Sequence, residues 1–216
     1  MTFETELNLL LPDDLPHRAQ VVSFSARHLD LIVEANQTLN LTRITSVREA
    51  AIKHVLDSVL PWRLFSGHKV IVDAGTGAGL PGIPLSLVLP DSRFILLESI
   101  QKKTRFVQSV IDALALPNVT ALPLRAEDWL KTNEANIITA RAMAPLERAV
   151  PLFAPAIRQG ARTLLYKGPD TAQEIAEASR EIQKRGLSVR EILRYDLPDQ
   201  LGTRTMVEMV QGSKHA

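Results

Sequence analysis

Apolar residues recur with a helical period up to about Phe65 and then break into short runs that alternate with helical segments. In the first region Val21, Val22, Phe24, Leu29, Ile32 and Val33 form an approximate helical stripe. Ser46-Val47-Arg48-Glu49 has the form of a capping box, with Ser46 and Glu49 placed to satisfy each other's orphan amides. Behind it Ile52, Val55, Leu56, Val59 and Leu60 keep helical spacing, and Pro61 is placed to end the helix. Lys53 and Asp57 lie four apart on another face, beside His54 and Ser58. Such a pair supports a helix by ~0.3–0.5 kcal/mol.

From Lys69 onward the pattern predicts strands at Val70–Ala74, Arg93–Glu98, Val119–Leu124, Asn136–Ala140 and Arg162–Lys167. Helices are predicted around Gly82–Leu89, Lys102–Leu114 and Leu146–Ile157, with a short turn at Ala126–Leu130 and one long polar helix over Thr171–Arg185. Two extended runs, Leu187–Leu197 and Arg204–Gln211, have no helix between them and are expected to pair antiparallel. Strand-helix alternation means an open, mostly parallel sheet covered on both faces. The expected class is α/β, a Rossmann-like sheet of seven strands ending in an antiparallel pair, with residues 1–66 as a helical extension and 67–216 as the main domain.

The run Asp73-Ala74-Gly75-Thr76-Gly77-Ala78-Gly79 follows the first strand. Glycines spaced by two let the backbone turn tightly and approach a ligand. Glu98 ends the next strand, where a ribose-binding acid is wanted. Gly77-Ala78-Gly79-Leu80-Pro81-Gly82 also satisfies the dinucleotide pattern G-x-G-x-x-G. Two details favour S-adenosylmethionine over a dinucleotide. Asp73 would repel a pyrophosphate but attract an ammonium, and Pro81 deletes an amide donor that a phosphate would use.

The 216 residues carry a net charge of +1, too little to imply a nucleic-acid partner by itself. Local clusters offer the cations for one: Arg43, Arg48 and Lys53; Lys102, Lys103 and Arg105; Lys184 and Arg185. Cysteine is absent, which excludes disulfides, thiolate metal sites and methyl transfer through a cysteine adduct. No apolar run approaches the length of a membrane span, and Glu4 and Glu6 stand where a signal peptide carries basic residues, so a cytoplasmic protein without membrane or metal partner is expected.

The chain resembles the bacterial small-subunit ribosomal RNA guanine-N7 methyltransferases, historically called glucose-inhibited division protein B. The resemblance rests on Asn40-Leu41-Thr42, Lys53-His54 with Asp57-Ser58, and Asp73 through Ile83. It continues through Glu98-Ser99 with Lys102-Lys103, Arg125-Ala126-Glu127, Ala140-Arg141-Ala142 and Lys167-Gly168. It implies N7 methylation of one guanine in the decoding-region loop of 16S rRNA, with S-adenosylmethionine as donor. By position it carries over Gly75, Leu80, Ala126, Glu127 and Arg141 as cofactor contacts. Asp73, Gly77, Gly79 and Glu98 match the wider methyltransferase pattern.

Guanine N7 has an in-plane lone pair and no proton, so attack on a methyl carbon needs no general base, and orientation supplies most of the rate. The strand ending at Ala140 accordingly lacks the Asn/Asp-Pro-Pro-aromatic motif used for exocyclic amines. Arg141 and Lys167 stand at strand ends as the candidate catalytic residues, Arg141 for a cofactor carboxylate or RNA phosphate and Lys167 for a phosphate or the target base. Glu127 also suits a plain helix start, and His54 either a proton shuttle or a structural role. The rival readings are an NAD-dependent oxidoreductase and a non-catalytic, cofactor-binding ribosome factor. A monomer acting on 16S rRNA or the small subunit is expected. Trp62, Phe65 and Trp129 serve the core better than base stacking.

Overall fold

The computed structural model describes residues 1–44, 46–142 and 144–212. A seven-stranded sheet runs in the order β3-β2-β1-β4-β5-β7-β6. Its strands are β1 (Val70–Ala74), β2 (Arg93–Leu97), β3 (Val119–Leu122), β4 (Ile137–Arg141), β5 (Arg162–Lys167), β6 (Leu187–Asp196) and β7 (Thr203–Gln211). The first five are parallel, and β7 inserts antiparallel between β5 and β6. The expected terminal antiparallel pair is therefore present. β6 stands at the edge, where charged residues and a bulge between Glu191 and Leu193 protect it from further pairing.

Successive side chains of a strand face opposite sides, and this sheet buries both. Ile71, Phe94 and Leu96 enter one core, and Val72, Ala74, Ile95 and Leu97 the other. That is why β1 and β2 read as continuous apolar runs. The second core is closed by α8 (Leu146–Arg158), whose Val150, Phe153 and Ala154 are fully buried. The first is closed by α5 (Gly82–Val88) and α6 (Gln101–Leu114), together with the N-terminal helices α1 (Phe3–Leu10) and α2 (Arg18–Leu39). Each buried Phe, Leu or Ile contributes about 1.5–3 kcal/mol.

Several local expectations change. The buried stripe of α2 includes Ser25 and His28, while Val33 points to solvent. The run Thr171–Arg185 divides into α9 (Thr171–Glu177) and α10 (Ser179–Arg185), because Ala178 is drawn fully into the second core and bends the helix there. After the short α7 (Ala126–Trp129), β4 runs one residue further than expected and includes Arg141.

The largest local departure lies between α3 (Val47–Ala50) and α4 (Asp57–Val59). Ala51–Leu56 form a π-helical turn, in which the Asp57 N–H bonds to the Ile52 carbonyl. The wider turn breaks the four-residue register, so Lys53 and Asp57 do not pair. Lys53 reaches back to Glu49 at 2.7 Å instead. The capping box is half realised: Ser46 Oγ accepts from the Glu49 N–H at 3.1 Å, but the Glu49 carboxylate is committed to Lys53.

Candidate functional site

The glycine loop between β1 and α5 is held from below. Gly75 and Thr76 donate their N–H groups to the Leu97 carbonyl at 2.8 and 3.0 Å, tying the loop to β2. Asp73 is fully buried. Its Oδ2 accepts from Thr76 Oγ1 at 2.7 Å and from the Gly82 N–H at 2.9 Å. Its Oδ1 has no partner among the described residues. Burial pushes its pKa up to about 6, against the two hydrogen bonds. His28, also fully buried, donates from Nε2 to the Ala78 carbonyl at 2.8 Å, and burial lowers its pKa to about 4.

The glycines divide by role. Gly75 and Gly77 have positive φ, and a Cβ on either would meet nothing within 4 Å, so open space lies over the loop. At Gly82 a Cβ would strike Leu96 Cδ2 at 2.2 Å, and at Gly79 it would strike Ile83 Cδ1 at 2.5 Å. Gly82 is crowded by packing alone, and Gly79 by packing together with a φ of +89°.

Above the loop, at the carboxyl ends of β1, β2, β4 and β5, a cavity of about 490 Å³ opens. Gly75, Gly77, Leu80, Glu98, Arg141 and Lys167 all line it. A second pocket of about 140 Å³ shares Gly75 and Glu98 with the first and contains Ala126 and Glu127. The two adjoin at Gly75 and Glu98, at the ends of β1 and β2. Glu98 accepts from the Ile100 N–H through Oε1 at 2.8 Å, and Oε2 has no protein partner among the described residues. Of the sequence-derived cofactor set, only Asp73 and Gly79 stand outside both linings. Asp73 lies beneath the loop and Gly79 packs on Ile83.

The other wall comes from the π-helical turn. His54 and Thr42 face the cavity and share a hydrogen bond at 3.1 Å. Burial, with the nearby Arg141, His28 and Lys53, lowers the His54 pKa to about 3, so its imidazole is neutral at physiological pH. Arg141 Nη1 donates to the Lys53 carbonyl at 2.8 Å and to Ser58 Oγ at 3.1 Å. It also lies 3.4 Å from Asp57 Oδ2. Lys167 pairs with Glu174 at 2.6 Å. Tyr166, whose pKa burial raises well above the usual range, donates to the Ser58 carbonyl at 2.7 Å and stacks on Phe65. Phe65 thus belongs to the core, as its pattern indicated.

The three proposed cationic clusters disperse. Arg48 is bound by Glu6 and Asp199, Arg185 by Glu181, and Arg105 donates to Gln101. Lys53 and Lys103 reach the cavity. His28, Tyr195 and Arg204 went unremarked in the sequence. His28 carried a signal, a titratable residue inside an apolar stripe. Tyr195 and Arg204 carried none, because strand pairing alone brings them to the site. Among the described residues no group of three metal-ligating side chains forms, and no helix is long and apolar enough to cross a membrane.

A seven-stranded sheet of this order, with a glycine loop and an acid at the ends of its first two strands, defines a methyltransferase of the Rossmann-like class. Solved structures agree on the fold. An Aeropyrum pernix fibrillarin aligns with a TM-score of 0.53 at 16% identity, covering 72% of this chain and 74% of its own. The mitomycin 7-O-methyltransferase MmcR aligns with a TM-score of 0.57 at 17% identity, covering 94% and 74%. Within that class, residues 23–200 match the model of the rRNA small subunit methyltransferase G family, and the chain belongs to this family. Its relatives include ribosomal RNA small subunit methyltransferase G of Solibacter usitatus, 65% identical over 97% of this chain and all of the relative. The protein of the same name from Carboxydothermus hydrogenoformans is 34% identical over 84% and 79%.

Proposed function

We propose that this protein transfers a methyl group from S-adenosylmethionine to N7 of a single guanine in 16S rRNA, as a cytoplasmic monomer without metal. The observation that carries the reading is the 490 Å³ cavity over the glycine loop and the adjoining pocket at Ala126 and Glu127, which share Gly75 and Glu98. Its residues fit the cofactor. Space over Gly75 and Gly77 admits its chain, and the free Oε2 of Glu98 accepts from ribose hydroxyls. The pocket at Ala126 and Glu127 takes the adenine, with Leu80 in the adjoining cavity. The uncompensated charge of Asp73 beneath the loop favours a cation and disfavours a pyrophosphate.

When bound, the cofactor supplies a methyl group on a sulfonium, with a neutral thioether as leaving group. The protein's part is orientation and exclusion of water. Asp73 and His28 fix the loop from below, and Gly79 and Gly82 let it pack there. Arg141 and Lys167 stand over the cavity as the residues that orient the reacting groups. No side chain has to remove a proton, because N7 bears none, and the neutral, buried His54 completes the wall without proton transfer. Residues 67–216 are the catalytic domain, and the extension 1–66 contributes the wall that carries Lys53 and His54.

The test is methyl transfer from labelled S-adenosylmethionine to small ribosomal subunits that lack the modification, with the product mapped by cleavage at N7-methylguanine. One labelled guanine in the decoding-region loop is expected. Cofactor binding without transfer to any RNA would refute the enzymatic reading.

A further inference from the structure

The carboxylate of Asp57 is reached by three strands. Tyr195 of β6 donates to Oδ1 at 3.0 Å. Arg204 Nε of β7 donates to Oδ2 at 3.2 Å, and Arg141 Nη1 of β4 approaches the same oxygen at 3.4 Å. The Asp57 side chain is only 1% exposed, so it needs a countercharge. It has two. One unit of positive charge is therefore left over on a pair of adjacent guanidinium groups, both of which line the cavity.

Neither arginine is fully engaged. Arg204 uses Nε on Asp57 and Nη1 on the Thr203 carbonyl at 3.3 Å. Arg141 uses Nη1 alone. The remaining guanidinium nitrogens have no protein partner among the described residues. Lys53 and Lys167, by contrast, are each matched to a glutamate, and Lys103 belongs to α6, which begins just after Glu98. The arginine pair lines the large cavity rather than the site assigned to the adenine. It shares no residue with the Ala126–Glu127 pocket. The strand of Arg204 stands three places from β1 in the sheet, about 14 Å at the usual strand spacing.

From this arrangement, and on the reading that the substrate is RNA, we infer that Arg204 binds a phosphodiester beside the target guanine. Asp57 is the positioning residue that holds Arg204 and Arg141 side by side for it. A phosphodiester carries one negative charge, which matches the charge left over, and a guanidinium fork suits its paired oxygens. The carboxylate of the cofactor offers the same chemistry, so the experiment has to separate the two anions.

The experiment measures kcat and KM for methyl transfer to unmodified small subunits over a range of salt at fixed magnesium, together with cofactor affinity by calorimetry. Arg204→Gln is expected to raise KM about tenfold and to lower the slope of log KM against log salt by about 0.7, one phosphate contact. Its cofactor affinity stays that of the wild type. Arg204→Lys restores the slope but only part of KM, because it keeps the charge and loses the fork. Asp57→Asn keeps both cations but releases their spacing, so kcat falls about tenfold while the salt slope stays at least as steep. Tyr195→Phe gives the same pattern more weakly, and it decides the matter if Asp57→Asn does not fold.

Weaker cofactor binding by Arg204→Gln would assign the anion to the cofactor's carboxylate and overturn the inference. So would an unchanged KM and slope in that variant, or a slope in Asp57→Asn or Tyr195→Phe that falls as it does in Arg204→Gln. A wild type that methylates no subunit would instead overturn the functional reading, and this inference with it.

Discussion

Replacing Asp73 by Asn and by Ala separates the two things its carboxylate does. In the folded protein burial raises its pKa from 3.8 to about 6. Below pH 3.8 the carboxyl is protonated in both folded and unfolded chains, and no charge is buried. Between pH 3.8 and 6 the unfolded chain releases the proton while the folded chain keeps it, so stability falls as pH rises. Above pH 6 the penalty is complete, at about 3 kcal/mol. Asn carries no charge and keeps an oxygen for Thr76 and Gly82. The wild type should therefore lose about 3 kcal/mol relative to Asp73→Asn between pH 4 and 7. The histidines titrate in both proteins and cancel.

Asp73→Ala also removes the charge, but it orphans the Thr76 hydroxyl and the Gly82 N–H. At about 1–3 kcal/mol for each buried donor, it should be less stable than Asp73→Asn by about 2–6 kcal/mol at every pH. Urea unfolding followed by circular dichroism measures both differences. In Asp73→Asn the loop keeps its shape and loses the charge behind it, so cofactor affinity should fall about tenfold in calorimetry. A wild-type-minus-Asn difference that does not change with pH would refute the buried-charge account. Equal stability of the Ala and Asn variants would refute the clamp, and unchanged affinity in Asp73→Asn would remove the electrostatic role.

Three further outcomes follow from the same geometry. Gly82→Ala should cost about 1–3 kcal/mol of unfolding free energy by overpacking against Leu96 and Asp73. Gly75→Ala, with positive φ and open space, should cost only about 1–2 kcal/mol yet weaken cofactor binding more than Gly82→Ala does, as melting curves and calorimetry on the pair would show. His28 has a folded pKa below its unfolded value, so its contribution is lost as pH falls from 6.5 toward 4, by about 3 kcal/mol. His28→Gln, which retains a donor for the Ala78 carbonyl, should make that part of the urea-midpoint profile shallower and leave the share of His54. Arg141→Ala should abolish methyl transfer and also lower stability by about 1–3 kcal/mol, because it strips donors from the Lys53 carbonyl and Ser58; a fully active variant would reduce Arg141 to a structural tie.

The parallel half of the fold was legible because its signals are local. Runs such as Phe94-Ile95-Leu96-Leu97, buried on both faces, cannot be solvated in any arrangement, and the glycine loop names its own place at the end of β1. The stripe of α6, Phe106, Val107, Val110, Ile111 and Leu114, is buried throughout. What could not be read depends on distant partners. Residues 51–56 have an ordinary helical pattern, and nothing in Ala51-Ile52-Lys53-His54-Val55-Leu56 announces a π turn. Asp57 looked like one half of a helix-surface pair with Lys53. Its true partners are 84, 138 and 147 positions away, at Arg141, Tyr195 and Arg204.

That π turn explains why a helical extension belongs to the site. In a regular α-helix Lys53 and Asp57 would lie one above the other and satisfy each other on the surface. The extra residue in the turn rotates them apart, so Lys53 goes to Glu49 and Asp57 is left buried without a local partner. A buried carboxylate has to be matched, and among the described residues only the ends of β4, β6 and β7 reach it. The same demand that ties the extension to the sheet therefore gathers Arg141 and Arg204 at the mouth of the cavity. Leu29, Ile52 and Val55 meet Ile83 and Phe94 in one core behind them, and the wall is anchored there by packing as well as by charge. On the proposed reading the glycine loop specifies where the cofactor lies, while the π turn and its single aspartate specify which cations face the space opposite.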